Sequence, residues 1–353
     1  MGDSAHALPR RNFLGQTAAL SLSAGALAAN STSAATTASP DQRPAREGRL
    51  PREVWIATIT EEGVAATSPE GITKEMLARM SAAAEQQPDI ICLPELFLFP
   101  GRRPPLEEIA EAPLGELAAP FVHFAKDHRC YVAYSGYTVD EGSIYNAVVF
   151  IDRQGQPCGE YRKTYTTTGE MNNGVSPGPL DQRIVETDFG RVGAQICFDV
   201  EWHDGWRRLR DAGAEIVVFP SAFAAGRAVN MRAAQNQLVV ATSTRKDTSK
   251  IVDVTGKTIA ATCRWNRWVC APVNLEKAVL HTWPFNNRFD AIHAKYGRDV
   301  TLTTYGEEEW TIIESRSPEV RIADVLKEFD LETHADYIAR AETMQVKRRP
   351  PTA

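Results

Sequence analysis

The sequence has no stripe of basic residues away from its two ends and no cysteine pair at the close spacing of a metal knuckle or redox motif. It has no internal repeat and, beyond residue 30, no apolar run that reaches the roughly 20 residues a membrane span needs. The first absence, with a formal net charge of −6 spread over both signs, leaves a nucleic-acid partner without electrostatic support. The second leaves Cys92, Cys130, Cys158, Cys197, Cys263 and Cys270 without zinc-site or dithiol geometry, and no motif calls for a metal or a cofactor. In a chain this long, five of the six read as small buried hydrophobes. What is present is ordinary: 353 residues, 43% hydrophobic and 24% charged, enough to bury a large core as one domain or two smaller ones.

The N-terminal segment stands apart from that core. In "PRRNFLGQTAALSLSAGALAAN", Arg10 and Arg11 precede Phe13 and Leu14, then a weakly apolar stretch and small residues at Ala26 and Ala28. Charged, apolar and small segments in that order form a secretory signal, and the Arg-Arg-x-Phe-Leu core resembles the bacterial twin-arginine export signal. Gln16, Thr17, Ser21 and Ser23 argue against an uncleaved anchor. The expectation is a signal over residues 1–29, a Ser/Thr/Ala/Pro linker over 30–51, and a protein exported to the periplasm or beyond. Twin-arginine substrates cross already folded, as the resemblance implies, so a free thiol can be buried before export.

From residue 52 strands and helices alternate. "VWIATIT" leads to "SPEGITKEMLARMSAAAEQQ", where Ser68 suits a cap and Ile72, Met76, Met80 and Ala83 share a face. "DIICLPE" is a strand, "GELAAPFVHFAKDH" a helix, "CYVAYSGYTV" a strand, and "SIYNAVVFI" and "PCGEYRKTY" flank the turn "DRQG". "GRVGAQIC", the helix "EWHDGWRRLRDA", "EIVVFP", "NMRAAQN", "QLVVATS" and "KIVDVTGKTIA" continue the pattern. This predicts an α/β domain over residues 52–278, followed by a charged C-terminal extension, 279–353, with helices at "IADVLKEF" and "HADYIARAETMQ".

Three strand ends carry the residue types that covalent amide chemistry needs. Cys197 closes its strand where a helix is expected, so the N–H of Phe198 suits an oxyanion and the helix start favours a thiolate. Glu95, after "IICLP", suits a general base for a thiol whose free pKa is about 8.5. Lys163, after "GEYR", suits stabilisation of a developing oxyanion. Glu170, seven residues on, reaches the same pocket to orient the lysine or a leaving amine. Each residue alone reads as core, solvated carboxylate or hairpin surface; their order and strand contexts together carry the signal.

With those contexts the chain resembles the carbon–nitrogen hydrolase (nitrilase) superfamily. The matching pieces are "IICLPELF", "GEYRKTY", "TDFGRVGAQICFD", "GAEIVVFPSAF", "RAAQNQLVVATS" and "SKIVDVTGKTIA". The resemblance implies a four-layer αββα sandwich that dimerises, with Glu95 as base, Lys163 as oxyanion stabiliser, Cys197 as nucleophile and Glu170 as second glutamate. It also implies a small-molecule amide as substrate. Gln235 stands where the family commonly has a glutamate. Phe-Asp after the cysteine is closer to amidase-type members than to true nitrilases, which tend to carry a glutamate two after it. That favours an amide or carbamoyl amide over a nitrile. An acyltransferase of the superfamily is the first rival, but its lipoprotein-modifying members have several spans. A binding protein on a dead scaffold is the second, and all four residues are present. Trp202 and Trp206, four apart, fit a packed face better than a ligand box, and His203 fits a helix surface or pocket rim better than a metal site. Arg102 and Arg103 suit a substrate carboxylate and open solvent equally. Trp202, His203 and Arg102 are the candidate substrate contacts.

Overall fold

Side-chain alternation decides how the strands stack. In the first sheet Ile56 and Ile90 point one way and Ala57 and Ile91 the other; in the second, Val218 opposes Val217 and Phe219. Both faces of each sheet are therefore apolar, so each must be covered twice. In the computed structural model, which describes residues 48–100, 104–181 and 183–350, that requirement is met by two sheets packed face to face with helices outside. The proposed signal, most of the linker and Arg102 lie outside the described residues.

The first sheet contains β1 (Glu53–Ile59), β2 (Ile90–Cys92), β3 (Tyr131–Asp140), β4 (Ser143–Ile151) and β5 (Pro157–Arg162). The second contains β6 (Val185–Thr187), β7 (Gly190–Ala194), β8 (Ile216–Ser221), β9 (Val239–Thr244), β10 (Lys250–Val252) and β11 (Thr258–Ala261). The chain then returns to the first sheet as β12 (Trp268–Asn274), antiparallel to β1. The orders are β12-β1-β2-β3-β4-β5 and β11-β10-β9-β8-β7-β6, each with three parallel strands at its centre. Ile56, Ile90, Val148 and Phe150 meet Ile216, Val218 and Val239 between the sheets. Met76, Met80, Phe121 and Phe124 cover the first sheet from outside, and Trp206, Leu209, Val229 and Ala233 cover the second. The layers are α-β-β-α.

Local expectations hold in detail. Ser68 caps the helix Pro69–Ala84, accepting from the Gly71 N–H at 3.2 Å, and Ile72, Met76, Met80 and Ala83 are its buried residues. Three features differ. The extension carries a three-stranded sheet as well as helices: β13 (Lys277–His281), β14 (Val300–Tyr305) and β15 (Trp310–Ser315), in the order β13-β15-β14, with β13 straddling position 278. Cys158 and Cys263 are exposed, not core, since one sits on edge strand β5 and the other in the loop before β12. Trp202 is 37% exposed, whereas Trp206 is fully buried.

Phe150 is buried in the layer between the sheets. Phe150→Ala should therefore cost about 3–5 kcal/mol, seen as a lower urea midpoint at unchanged slope. A loss below about 1 kcal/mol would mean that the layer collapses around the vacancy.

Candidate active site

The site lies beyond the carboxyl ends of the central parallel strands, where α/β sheets leave a crevice. Strand β2 ends at Cys92, and Glu95 follows in a buried turn held by Leu96, whose backbone adopts φ 49° and whose N–H donates to Ser135 Oγ at 3.3 Å. Lys163 continues β5 by one residue, its N–H donating to the Asn146 carbonyl of β4 at 2.8 Å. Glu170 sits in the first turn of the helix Thr168–Asn172, fixed by a reciprocal cap: its N–H donates to Thr167 Oγ1 at 3.1 Å and its Oε2 accepts from the Thr167 N–H at 2.8 Å.

Cys197 comes from the other sheet. Strand β7 ends at Ala194, and Cys197 opens a five-residue 3-10 turn, Cys197–Glu201, with φ 48°. A left-handed conformation costs a residue with a side chain roughly 1–3 kcal/mol, so the surroundings must impose it. They do so through Asp199, whose Oδ2 accepts from the Ile196 N–H at 2.8 Å and whose own N–H donates to the Ile196 carbonyl at 2.9 Å.

The charged groups form one buried cluster. Lys163 Nζ donates to Glu95 Oε1 at 3.0 Å and to both oxygens of Glu170 at 3.1 and 2.9 Å. Asn146 Nδ2 spans the same two carboxylates, donating to Glu95 Oε1 and Glu170 Oε1 at 2.8 Å each. The Ala222 N–H, just past β8, donates to Glu95 Oε2 at 2.8 Å. Sequence reasoning missed Asn146, although a lone amide in the apolar strand "SIYNAVVFI" was a visible signal, because a buried polar side chain needs partners. Glu95, Lys163, Glu170 and Cys197 line a cleft of about 880 Å³, with Leu96, Leu106, Tyr137 and Val175 as apolar wall.

Electrostatics follow from this packing. Burial alone would lower the Lys163 pKa, but the Glu95 and Glu170 carboxylates outweigh it and raise the pKa, so the ammonium is permanent. Burial works against the Glu170 carboxylate too, and Lys163, Asn146 and Thr167 outweigh it, holding its pKa below the ordinary value. Cys197 goes the other way. Burial first and the Glu95 charge second push its thiol to about 12, against Lys163, the Ala222 N–H and the Ser221 hydroxyl. This corrects the expectation of a thiolate favoured by a helix start: the α-helix begins only at His203, and the short 3-10 turn does not offset burial.

The other candidate residues are placed differently. Phe198 follows Cys197 in the turn, its ring edge-on to Trp202 at 5.0 Å. Trp202 stacks on Tyr165 at 4.4 Å, and His203 Nε2 meets Asn236 Oδ1 at 3.2 Å; neither side chain lines the cleft. Arg102 lies outside the described residues, two positions before Pro104 of the cleft wall.

The sequence profile of the Carbon-nitrogen hydrolase family matches residues 55–279. The chain belongs to that family. Among relatives of this family, a "Hydrolase in pqqF 5'region" of Pseudomonas protegens is 39% identical over 166 residues, 43% of this chain and 57% of that protein. The deaminated glutathione amidase of Mus musculus is 30% identical over 146 residues, 37% and 45% of the two chains, and the citrullinase of Francisella tularensis 27% over 163 residues, 42% and 56%. These alignments span about half the length of each relative. Among solved structures, Saccharomyces cerevisiae Nit3, a member of branch 10 of the nitrilase superfamily, superimposes with a TM-score of 0.58 at 18% identity, covering 70% of this chain and 97% of that one. An amidase from Nesterenkonia sp. gives 0.56 at 18%, covering 64% and 92%. These structures share the fold of the carbon–nitrogen hydrolases seen here.

A thiol held near 12 leaves no resting thiolate. The ultraviolet thiolate absorbance of wild type minus Cys197→Ala should accordingly show no step between about pH 6 and 10. A step near 7 would mean a pre-formed ion pair with Lys163.

Proposed function

We propose that the protein hydrolyses the C–N bond of a small amide or carbamoyl amide through a thioester on Cys197. The observation that carries this reading is the buried Glu95–Lys163–Glu170–Asn146 cluster from one sheet facing, in one cleft, a strained cysteine from the other. As Cys197 Sγ attacks the carbonyl carbon, its proton passes to Glu95, and the carbonyl oxygen becomes an anion stabilised by the Lys163 ammonium and the Phe198 N–H. Collapse of this intermediate breaks the C–N bond, and Glu95 returns the proton to the departing amine. Water then attacks the thioester, giving one proton to Glu95; the acid leaves, and Glu95 restores the proton to sulfur. Glu170 holds the lysine. The relatives named as an amidase and a citrullinase support the amide and carbamoyl arms, as does the Phe198–Asp199 pair after the cysteine.

Ammonia release from simple amides, N-carbamoyl amino acids, carbamoyl amines and nitriles tests the class. Cys197→Ala should abolish turnover in a folded protein, and Lys163→Met should lower kcat roughly 100- to 1000-fold, the loss of one oxyanion donor. Turnover by Cys197→Ala above about a tenth of wild type would remove the nucleophile from the scheme.

We further propose that residues 1–29 direct twin-arginine export and that the exported protein is a homodimer or larger assembly. The Arg10-Arg11 pair and weakly apolar stretch support the export route. Changing both arginines to lysine should trap the precursor in the cytoplasm, and wild-type protein recovered from the periplasm should sediment as a dimer or larger species. Undiminished periplasmic yield, or a monomer, would overturn the respective proposal.

A further inference from the structure

We propose that Asp199 is a positioning residue that sets Cys197 against Lys163, a role that rests on the thioester reading above. Its carboxylate is fully buried and is not among the groups lining the cleft, so it acts through others. It fastens both sheets at one point. From the cysteine side, Oδ2 accepts from the N–H of Ile196, the residue before the nucleophile, at 2.8 Å. From the lysine side, Oδ2 also accepts from the Tyr161 hydroxyl at 2.7 Å, and Oδ1 accepts from the Tyr165 N–H at 2.8 Å. Tyr161 and Tyr165 lie two residues either side of Lys163. One carboxylate thus holds the residue next to the sulfur and brackets the ammonium.

Tyr161 is itself braced. Its hydroxyl accepts from Gln195 Nε2 at 3.2 Å and from the Thr164 N–H at 3.3 Å. Burial, then the Asp199 charge, keep the phenol protonated far above neutral pH, so it donates to Asp199 throughout the working range. All three groups meeting Asp199 are donors. A proton on the carboxyl would therefore point at a donor and break one of the three bonds. The groups that face Asp199 are Tyr161 and Lys163 from the β5 side, with the Ile196 and Tyr165 N–H groups. Burial outweighs them and brings the carboxyl up to about 7. The raised pKa means that the ionised, three-bonded form is present above about pH 7 and lost below it, which gives activity an acid limb.

The full-length chain carrying Asp199→Asn tests this, because the amide keeps the size but replaces one accepting oxygen by an NH2, set against the Tyr165 N–H or against the Ile196 N–H and Tyr161 hydroxyl. Tyr161→Phe, which removes one donor and keeps the ring, is the milder companion. Three readouts are taken: kcat and KM on the best amide, the pH profile, and the rate at which chloroacetamide alkylates Cys197 by mass spectrometry, which needs no turnover. A displacement near 1 Å costs on the order of a hundredfold, so Asp199→Asn should lower kcat about 100-fold, with KM within about threefold and alkylation slowed in parallel. Tyr161→Phe should lose about tenfold. The wild-type acid limb near 7 should be missing from the residual activity of Asp199→Asn.

Three results would overturn the proposal: kcat within about threefold of wild type in folded Asp199→Asn, a kcat loss with unchanged alkylation, or an acid limb that persists in that variant. Should Asp199→Asn not fold, Tyr161→Phe with unchanged kcat and alkylation overturns it instead. Failure of the thioester reading is distinguishable, because it appears as turnover by Cys197→Ala. The alkylation rate then still decides whether Asp199 positions the sulfur.

Discussion

The whole site depends on keeping one ammonium dry. Lys163 is 1% exposed, and an isolated charge at that depth costs several kcal/mol. Two carboxylates, Glu95 and Glu170, stabilise it, but two carboxylates against one lysine repel each other. Asn146 relieves this by donating from one nitrogen to both. The rest of the first sheet follows from these demands. Asn146 must sit on β4 opposite the end of β5, Glu95 must turn back beyond β2, and Glu170 must be locked by its cap with Thr167. Five side-chain hydrogen bonds tie Lys163 and Asn146 to the two carboxylates and restrict their arrangement, although Asn146 Oδ1 is buried without a partner.

The second sheet contributes the strained partner. Left-handed φ at Cys197 and a buried carboxylate at Asp199 both work against stability, and both sit where the chemistry is. For Asp199 the sign is definite. With its folded pKa raised from 3.8 to about 7, the native state binds more protons than the unfolded chain between those values, so this group's contribution to stability falls as pH rises through that window. The apolar layer around Phe150, Val218 and Ile216 supplies the compensating burial.

Much of this was legible beforehand. The 3.6-residue spacing of Ile72, Met76, Met80 and Ala83 and the continuous runs "IIC" and "IVVFP" fix helices and buried strands through local rules, and Glu95, Lys163 and Cys197 stood out as candidates because each follows within three residues of a strand's end. What was not legible depends on contacts distant in sequence. Asp199 reaches Tyr161 across 38 positions, and Asn146 reaches Glu95 across 51. The thiol's acidity also escaped, because it is set by burial between sheets and not by the local turn. Trp202 and Trp206 share a four-residue spacing, yet one stacks in the open on Tyr165 and the other is core, because Trp202 precedes the helix that Trp206 lies in.

The elevated thiol constrains the order of proton and bond movement. At rest the cluster holds two carboxylates and one ammonium, a net negative charge already in a dry cleft. Ionising Cys197 in advance would bury a bare thiolate and add a second negative charge beside Glu95; burial first and that repulsion second hold the thiol near 12. In the reaction proposed above, moving the thiol proton to Glu95 while sulfur bonds to carbon avoids it: Glu95 loses its charge as the substrate oxygen gains one, and the new anion forms beside Lys163. The net charge of the site never changes; only its location does, toward the ammonium. A base and a permanent cation that share a hydrogen bond at 3.0 Å are arranged for that transfer, since the proton that neutralises Glu95 frees Lys163 to turn its charge to the oxyanion.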